Sequence, residues 1–405
     1  MADMAAGAAD EYEYLQTSAA IRARCGAIFE AAQRGELTYF RLNEAKLPAV
    51  AERVILVTRQ AYPDVRAIPY HGRYRHFDAG GVPRLARFQH GLEGLSDDDQ
   101  LRARTELVIT SVLLDAGAGA AWQYREPDGR CYARSEGLAV ASYHLFMSGM
   151  LASDHASAAD GAGLSRFDAL HLESAFQVTD KNPLTGVAGR AALLQRLGEV
   201  VQNTPRYFAA PRARLGDLGV FLKRSAEDGR LPATAILTAV LGALGPIWPG
   251  REKLAGKPLG DVWRHSSFGF VPFHKLSQWL SYSLLEPLEA AGLVIEGVGE
   301  LTGLPEYRNG GLFLDAGVLE LVEPRAAELE HEVWSDLVIE WRALTVVLLD
   351  RLAEAVRAKL GLSADELPLA RVLEGGSWSA GRAIARELRA DGGPPLRIVS
   401  DGTVF

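Results

Sequence analysis

Between Leu337 and Leu349 only three of thirteen side chains are polar: Glu340, Arg342 and Thr345. On a helix turning about 100° per residue, Glu340 and Arg342 point roughly 200° apart, so one solvent face cannot serve both. At least one of the two charges is therefore buried, and a buried charge needs a partner supplied by another part of the chain. Helical spacing continues to Leu360, which makes this segment the strongest helix in the sequence. Glu340 would pair with an arginine or with Lys275, and Arg342 with an acid on a loop. For Arg342 the architectural role is favoured.

Helical periodicity also dominates elsewhere. Ala19–Arg34 carries Ile21, Cys25, Ile28, Phe29 and Ala32 at spacings of three and four. Leu47–Ala61, Leu101–Leu114, Ala191–Val201 and Ala233–Leu244 read the same way. Val271–Ala291 predicts a long apolar helix closed by Gly292, with Pro287 kinking it or ending it early. Short runs at Gly292–Ile295, Leu312–Leu314 and Leu396–Val399 predict the few strands. No strand–helix alternation occurs, and no glycine group has the spacing of a dinucleotide or phosphate loop. The expectation is a mainly α fold with a few short β-strands, as one compact domain over residues 17–405. Residues 1–16 read as a flexible lead-in. The closing run, Leu396 to Phe405, is expected to dock into the fold.

With 43 Lys and Arg against 51 Asp and Glu in 405 residues, the net charge is −8. Duplex nucleic acid and anionic membranes are usually met by basic domains, so neither is expected as a partner. The longest apolar stretches, Ile236–Leu244 and Thr345–Leu349, are too short to span a bilayer. The N-terminus lacks the basic start and apolar run of a signal peptide, so the cytoplasm is the expected location. Cys25 and Cys131 lie far apart without ligand spacing, which fits a reducing compartment and argues against a structural zinc. None of these features sets an oligomeric state.

Several polar segments are not explained by folding alone. His71, Arg73, Arg75 and His76 are interleaved with aromatics after Pro69. Guanidinium forks and imidazoles suit a phosphate or carboxylate, and the alternative is a surface loop with arginines paired to acids. Asp115 follows an apolar helix and precedes Gly117 and Gly119, where a backbone could approach a ligand or simply cap the helix. Lys275, Gln278 and Tyr282 fall at i, i+3 and i+7 and share one helix face. Glu306 and Arg308 sit in a loop bounded by Pro305 and Gly310 and leading to Asp315. A carboxylate on such a loop could be aimed at a reacting carbon, or could form a structural pair with Arg308.

The runs IPYHGRYRHFDAGG, SVLLDAGAG, RSEGLAVAS, FQVTDKNPLTGVAGRAALL, LGPIWPGR, LGDVWRH, VPFHKLSQWLSYSLLEPL, LTGLPEYRNGGLFLDAGVL, EWRALTVVLLD, LEGGSWSAGR and SDGTVF occur in this order from about Thr17 to Phe405. Together they resemble a family of fungal and bacterial proteins encoded with the uracil-to-ribosylurea degradation pathway. A second, distant resemblance covers about Val271–Asp350. There, FHKLSQ, the EYR loop and EWRA look like the FYKRAQ, DYR and EIRA of queuosine-nucleotide salvage glycosidases, whose helical fold is similar to DNA glycosylases. The loop acid is Asp in that family and Glu306 here.

These resemblances imply a helical, DNA-glycosylase-like C-terminal half and an N-glycoside hydrolase releasing urea or a ureido fragment from ribosylurea or its 5′-phosphate. Glu306 would stabilise the ribosyl cation or activate water, Arg308 would steer it, and Asp315 would be a reserve carboxylate. Lys275, Gln278, Tyr282 and Glu340 would line the pocket; His71, Arg73, Arg75, His76 and Asp115 would grip the phosphate or ureido group. The substrate partner is a small ribosyl or ureido nucleotide-like molecule, and no cofactor or metal is required. Two alternatives remain: an amidohydrolase acting on ring-opened uridine nucleotide, with a metal on His71, His76, His265 or His274, or a non-catalytic nucleotide-binding partner of the ring-opening enzyme.

Overall fold

The computed structural model describes residues 2–119, 121–154, 156–209, 211–248 and 252–399, with side chains from residue 7. Helices dominate, and the strands of the described residues form six two-stranded pairs. The mainly α expectation with a few short strands is met. Contacts divide the chain into two compact units. The first comprises residues 1–71, 250–282 and 297–405, and the second residues 72–249 and 283–296.

In the first unit the long helix Asp336–Leu360 packs on Ser18–Gln33 and Leu47–Ala61. Ser335 caps its start and Gly361, with φ of 66°, ends it in the left-handed conformation. Both Glu340 and Arg342 are buried, where their opposed directions required this of at least one. The expected flexible lead-in instead contains a helix, Ala2–Leu15, and Leu15 is buried against Leu259, Val262 and Phe270.

Two readings of this unit are corrected. Val271 and Pro272 belong to a strand, Gly269–Pro272, paired antiparallel with Val262–His265. Pro272 biases Val271 to extended backbone, so the helix begins only at Lys275. It runs to Glu289 with Pro287 in its last turn, where Pro287 neither ends nor precedes the end by more than two residues. Lys275–Tyr282 falls in the first unit and Ser283 onward in the second. Leu312–Leu314 is not a strand but part of a helix, Tyr307–Asp315. Gly310 and Gly311 disfavour helix by about 1 kcal/mol each relative to Ala. Gly310 is needed because a Cβ there would lie 2.8 Å from the Trp341 ring, and a Cβ on Gly311 would press on Pro395 at 3.1 Å.

In the second unit Asp97–Leu113 packs on Arg134–Met147 and Asp217–Ser225, and Gly161–Arg166 on Val187–Asn203. Fully buried Glu106 accepts both Arg214 nitrogens at 2.8 Å and the amides of Ala159 and Gly216. One carboxylate thus ties three separate segments. Strand Val294–Glu296 pairs in parallel with Arg230–Pro232, close to the predicted Gly292–Ile295. In the first unit Arg397–Val399, within the closing run expected to dock, pairs in parallel with Glu330–Glu332, while the rest of that run, 400–405, lies outside the described residues.

Candidate functional site

The site of the first unit is built on the helix that Glu306 caps. Glu306 is buried, and its two carboxylate oxygens accept the amides of Arg308 at 2.7 Å and Asn309 at 2.6 Å. This is a helix N-cap, a role that acidic side chains fill because the first amides of a helix lack partners. Two of the four lone-pair directions of the carboxylate remain for another donor or cation. Burial raises its pKa above the ordinary range, and the two amides with the charges of Lys275 and Arg308 offset this only in part. A carboxylate so placed is sparingly solvated and electrostatically coupled to Lys275.

The lysine helix is bound to the segment leading into Glu306. Gln278 accepts the Thr302 amide through Oε1 at 3.3 Å, and Tyr282 donates its hydroxyl to the Thr302 carbonyl at 2.9 Å. The i, i+3, i+7 stripe therefore faces the loop that carries Glu306. Gln278 Nε2 and Thr302 Oγ1 are both buried without a hydrogen-bond partner. Such groups cost about 1–3 kcal/mol each when left unpaired, and a bound polar molecule would repay it. Burial pushes the Tyr282 hydroxyl far up, so it holds the loop as a neutral donor.

Asp261, absent from the sequence-based set, organises the region. Its carboxylate takes both Nη atoms of Arg342, the Lys275 amide at 2.9 Å and the Trp263 indole at 2.8 Å. Arg342 also reaches the Pro305 carbonyl through Nε at 3.3 Å. The acid expected to pair with Arg342 on a loop is thus Asp261. The run LGDVWRH offered no periodicity that could have singled it out.

Other expected members have partners of their own. Arg308 donates Nη1 to the Gly392 carbonyl at 2.7 Å, so its backbone amide rather than its guanidinium holds Glu306. Asp315 forms a two-pronged pair with Arg389 and lies at the far end of the nine-residue capped helix. At 1.5 Å per residue that is roughly 13 Å from Glu306, which removes it as a reserve carboxylate at the same point. Glu340 accepts the Tyr39 amide and faces His265 at 3.6 Å, instead of Lys275 or an arginine. His71 meets Glu374 at 2.8 Å.

Arg73, Arg75, His76 and Asp115 lie in the second unit. Arg73 is fully buried and binds Ser111 at 2.7 Å, Ser135 at 3.0 Å, Asp115 at 3.1 Å and the Ser283 hydroxyl through its amide. Burial lowers its pKa, and Asp115 partly offsets this. Arg190, unsuspected from sequence, donates to the carbonyls of Leu114, Thr185 and Gly117, and burial brings its pKa down to about 10. Gripping a phosphate with Arg73 would require these protein bonds to be exchanged. Arg75 pairs with Glu286 on a half-exposed edge, and His76 lies 3.4 Å from Arg73.

His274 donates through Nε2 to the Leu15 carbonyl at 2.9 Å. His265 accepts the Ser267 amide through Nδ1. Among the described residues, no group of three or more His, Cys, Asp or Glu is arranged to hold a metal, and no helix is long and apolar enough to cross a membrane.

The fold and site define a mainly helical protein with a buried carboxylate at a helix cap, coupled to a lysine helix. The chain belongs to the family described as "Protein of unknown function (DUF1688)", whose model matches residues 14–405. It is 42% identical over 397 residues to "Protein urg3" of Schizosaccharomyces pombe, covering 95% of this chain and 96% of that protein. It is 36% identical over 435 residues to "Uracil catabolism protein 4" of Lachancea kluyveri, covering 97% and 98%. The family membership expected from the ordered motif blocks is borne out.

Proposed function

We propose that this protein acts in uracil catabolism as an N-glycoside hydrolase that releases urea or a ureido fragment from a ribosylurea or its 5′-phosphate. The name of the Lachancea relative supports the pathway. The observation that carries the reaction is Glu306: a buried carboxylate with two lone-pair directions open, fixed by two amides and coupled to Lys275.

Cleavage of an N-glycosidic bond leaves an oxocarbenium-like ribose, and a preorganised carboxylate stabilises that charge without reorganising. Glu306 performs this task or activates the attacking water. Lys275 supplies positive charge for ribose hydroxyls or a phosphate. The Gln278 amide and Thr302 hydroxyl offer hydrogen bonds to the polar edge of the substrate. Lys275 and Glu306 are held in register by Asp261 and Arg342, so the positioning costs little when substrate arrives.

Incubation with ribosylurea and with ribosylurea 5′-phosphate, followed by measurement of free urea, tests the reading. Wild-type protein releases urea, and Glu306→Gln loses about 100-fold or more in turnover while its circular dichroism is retained. Turnover by Glu306→Gln equal to wild type overturns the assignment.

A further inference from the structure

The carboxylate of Glu374 is gripped from two sides. His71 Nδ1 lies 2.8 Å from Oε2, and the Tyr62 hydroxyl donates to Oε1 at 2.9 Å. The His71 amide is in turn fixed on the Ala370 carbonyl at 3.0 Å. The side chains of His71 and Glu374 are 13% and 15% exposed, so the pair is sheltered yet reachable.

The position of Glu374 has a local cause. Leu373–Ser377 is a single π-helical turn between two α-helical stretches. Such turns insert a residue and redirect side chains, and they recur at functional sites. This one is allowed by Gly375 and Gly376, which meet Ile68, Thr58 and Val54 so closely that no Cβ fits beside Val54. Backbone packs on backbone, and Glu374 is turned toward Tyr62 and His71. None of this was needed for the site described above, although LEGGSWSAGR is among the sequence blocks.

The same turn is wired to Glu306. Ser377, at its end, donates to Asn309 Oδ1 at 2.9 Å, and the Asn309 amide is one of the two that hold Glu306. A carboxylate on one imidazole nitrogen fixes the proton on that nitrogen and leaves the other to exchange protons with a substrate.

We propose that His71, positioned by Glu374 and Tyr62, is the acid–base residue that protonates the leaving ureido nitrogen. The proposal rests on the glycosidase reading and supplies the proton that reading requires. The imidazolium passes the Nε2 proton to the ureido nitrogen as the bond from that nitrogen to the anomeric carbon breaks, and the bonding pair stays on nitrogen. Water then bonds to the anomeric carbon and returns a proton to Nε2. The sum is hydrolysis with the imidazole unchanged. His71 is the catalytic residue, and Glu374 and Tyr62 are positioning residues.

The test compares ribosylurea with p-nitrophenyl riboside, whose leaving group departs without protonation. His71→Ala should lose about 100-fold more on ribosylurea than on the nitrophenyl substrate, the span expected of general acid catalysis. Added imidazole should restore part of the ribosylurea activity. Glu374→Gln should lower kcat with KM little changed, and Glu374→Asp should recover part of that loss. Nitrogen-15 NMR of the unliganded protein, recorded at a pH where the imidazole has lost one proton, should show the remaining proton on Nδ1, moving toward Nε2 in Glu374→Gln. If wild type cleaves both substrates and His71→Ala loses them equally, the assignment of His71 falls and the glycosidase reading stands. If wild type cleaves neither, the glycosidase reading itself falls and takes the proposal with it. A wild-type His71 protonated at Nε2 instead also overturns the proposal.

Discussion

Asp261 and Arg342 face each other through two parallel hydrogen bonds, Oδ1 to Nη1 at 2.7 Å and Oδ2 to Nη2 at 2.8 Å. Burial works to raise the Asp261 pKa, but the charge and hydrogen bonds of Arg342 outweigh it and hold the carboxyl well below the ordinary range. The pair fixes the start of the lysine helix and the carbonyl just before Glu306. Its geometry therefore sets where both charged groups of the candidate site stand.

Replacing Asp261 by Asn leaves a buried guanidinium facing a neutral amide. Loss of one partner of a buried pair costs about 3–5 kcal/mol. Urea unfolding should show a loss of that size, and urea release from ribosylurea should fall with it. Stability equal to wild type would mean the pair carries no structural weight.

Glu306→Asp separates capping from chemistry. Aspartate is at least as good a helix cap as glutamate, so the unfolding midpoint should correspond to wild-type stability within about 1 kcal/mol. Its carboxylate is drawn back by one methylene, and a displacement near 1 Å costs on the order of 100-fold in rate. Stopped or initial-rate assays on ribosylurea check this, and undiminished turnover would show that reach is not what matters.

The second unit should be acid-sensitive through Glu126. Burial acts to raise its pKa, but hydrogen bonds from Arg84 and His144 outweigh that and bring it down to about 2. The folded value lies below the unfolded one, so the stabilisation is complete above the ordinary glutamate range and is lost as pH falls from there toward 2. The shift corresponds to roughly 3 kcal/mol at neutral pH. Glu126→Gln should lose about that much at pH 7, and its unfolding curve should converge on wild type as the solution is acidified. A constant gap across pH would contradict this.

Two glycines should respond in opposite directions. A Cβ on Gly376 would lie 2.6 Å from the Val54 carbonyl, so Gly376→Ala should cost about 1–3 kcal/mol through overpacking. Gly189 is exposed within the helix Val187–Asn203, with open space where its Cβ would be. Gly189→Ala should gain up to about 1 kcal/mol from helix propensity. Thermal unfolding of the two variants measures both.

Much of the helical framework was legible in local sequence. Leu47–Ala61 and Ala233–Leu244 match the observed helices at both ends, and Asp336–Leu360 starts one residue before the predicted segment. Periodic apolar spacing reports a buried face directly, so these elements needed no knowledge of their neighbours. Leu312–Leu314 was misread because Gly310 and Gly311 look like a loop until Trp341 and Pro395 are seen to occupy the space above them. Val271 was misread because its apolar neighbours suit a helix equally well, and only pairing with Trp263 makes it a strand.

The candidate site divides along the same line. Sequence spacing alone put Lys275, Gln278 and Tyr282 on one helix face and required at least one of Glu340 and Arg342 to be buried, since both follow from the helical repeat. Partner choice did not follow from it. Asp261 meets Arg342, Glu374 meets His71 and Arg389 meets Asp315 across separations that no local pattern encodes. A side chain's type fixes the bonds it can make, but which group stands opposite is decided only when distant segments pack.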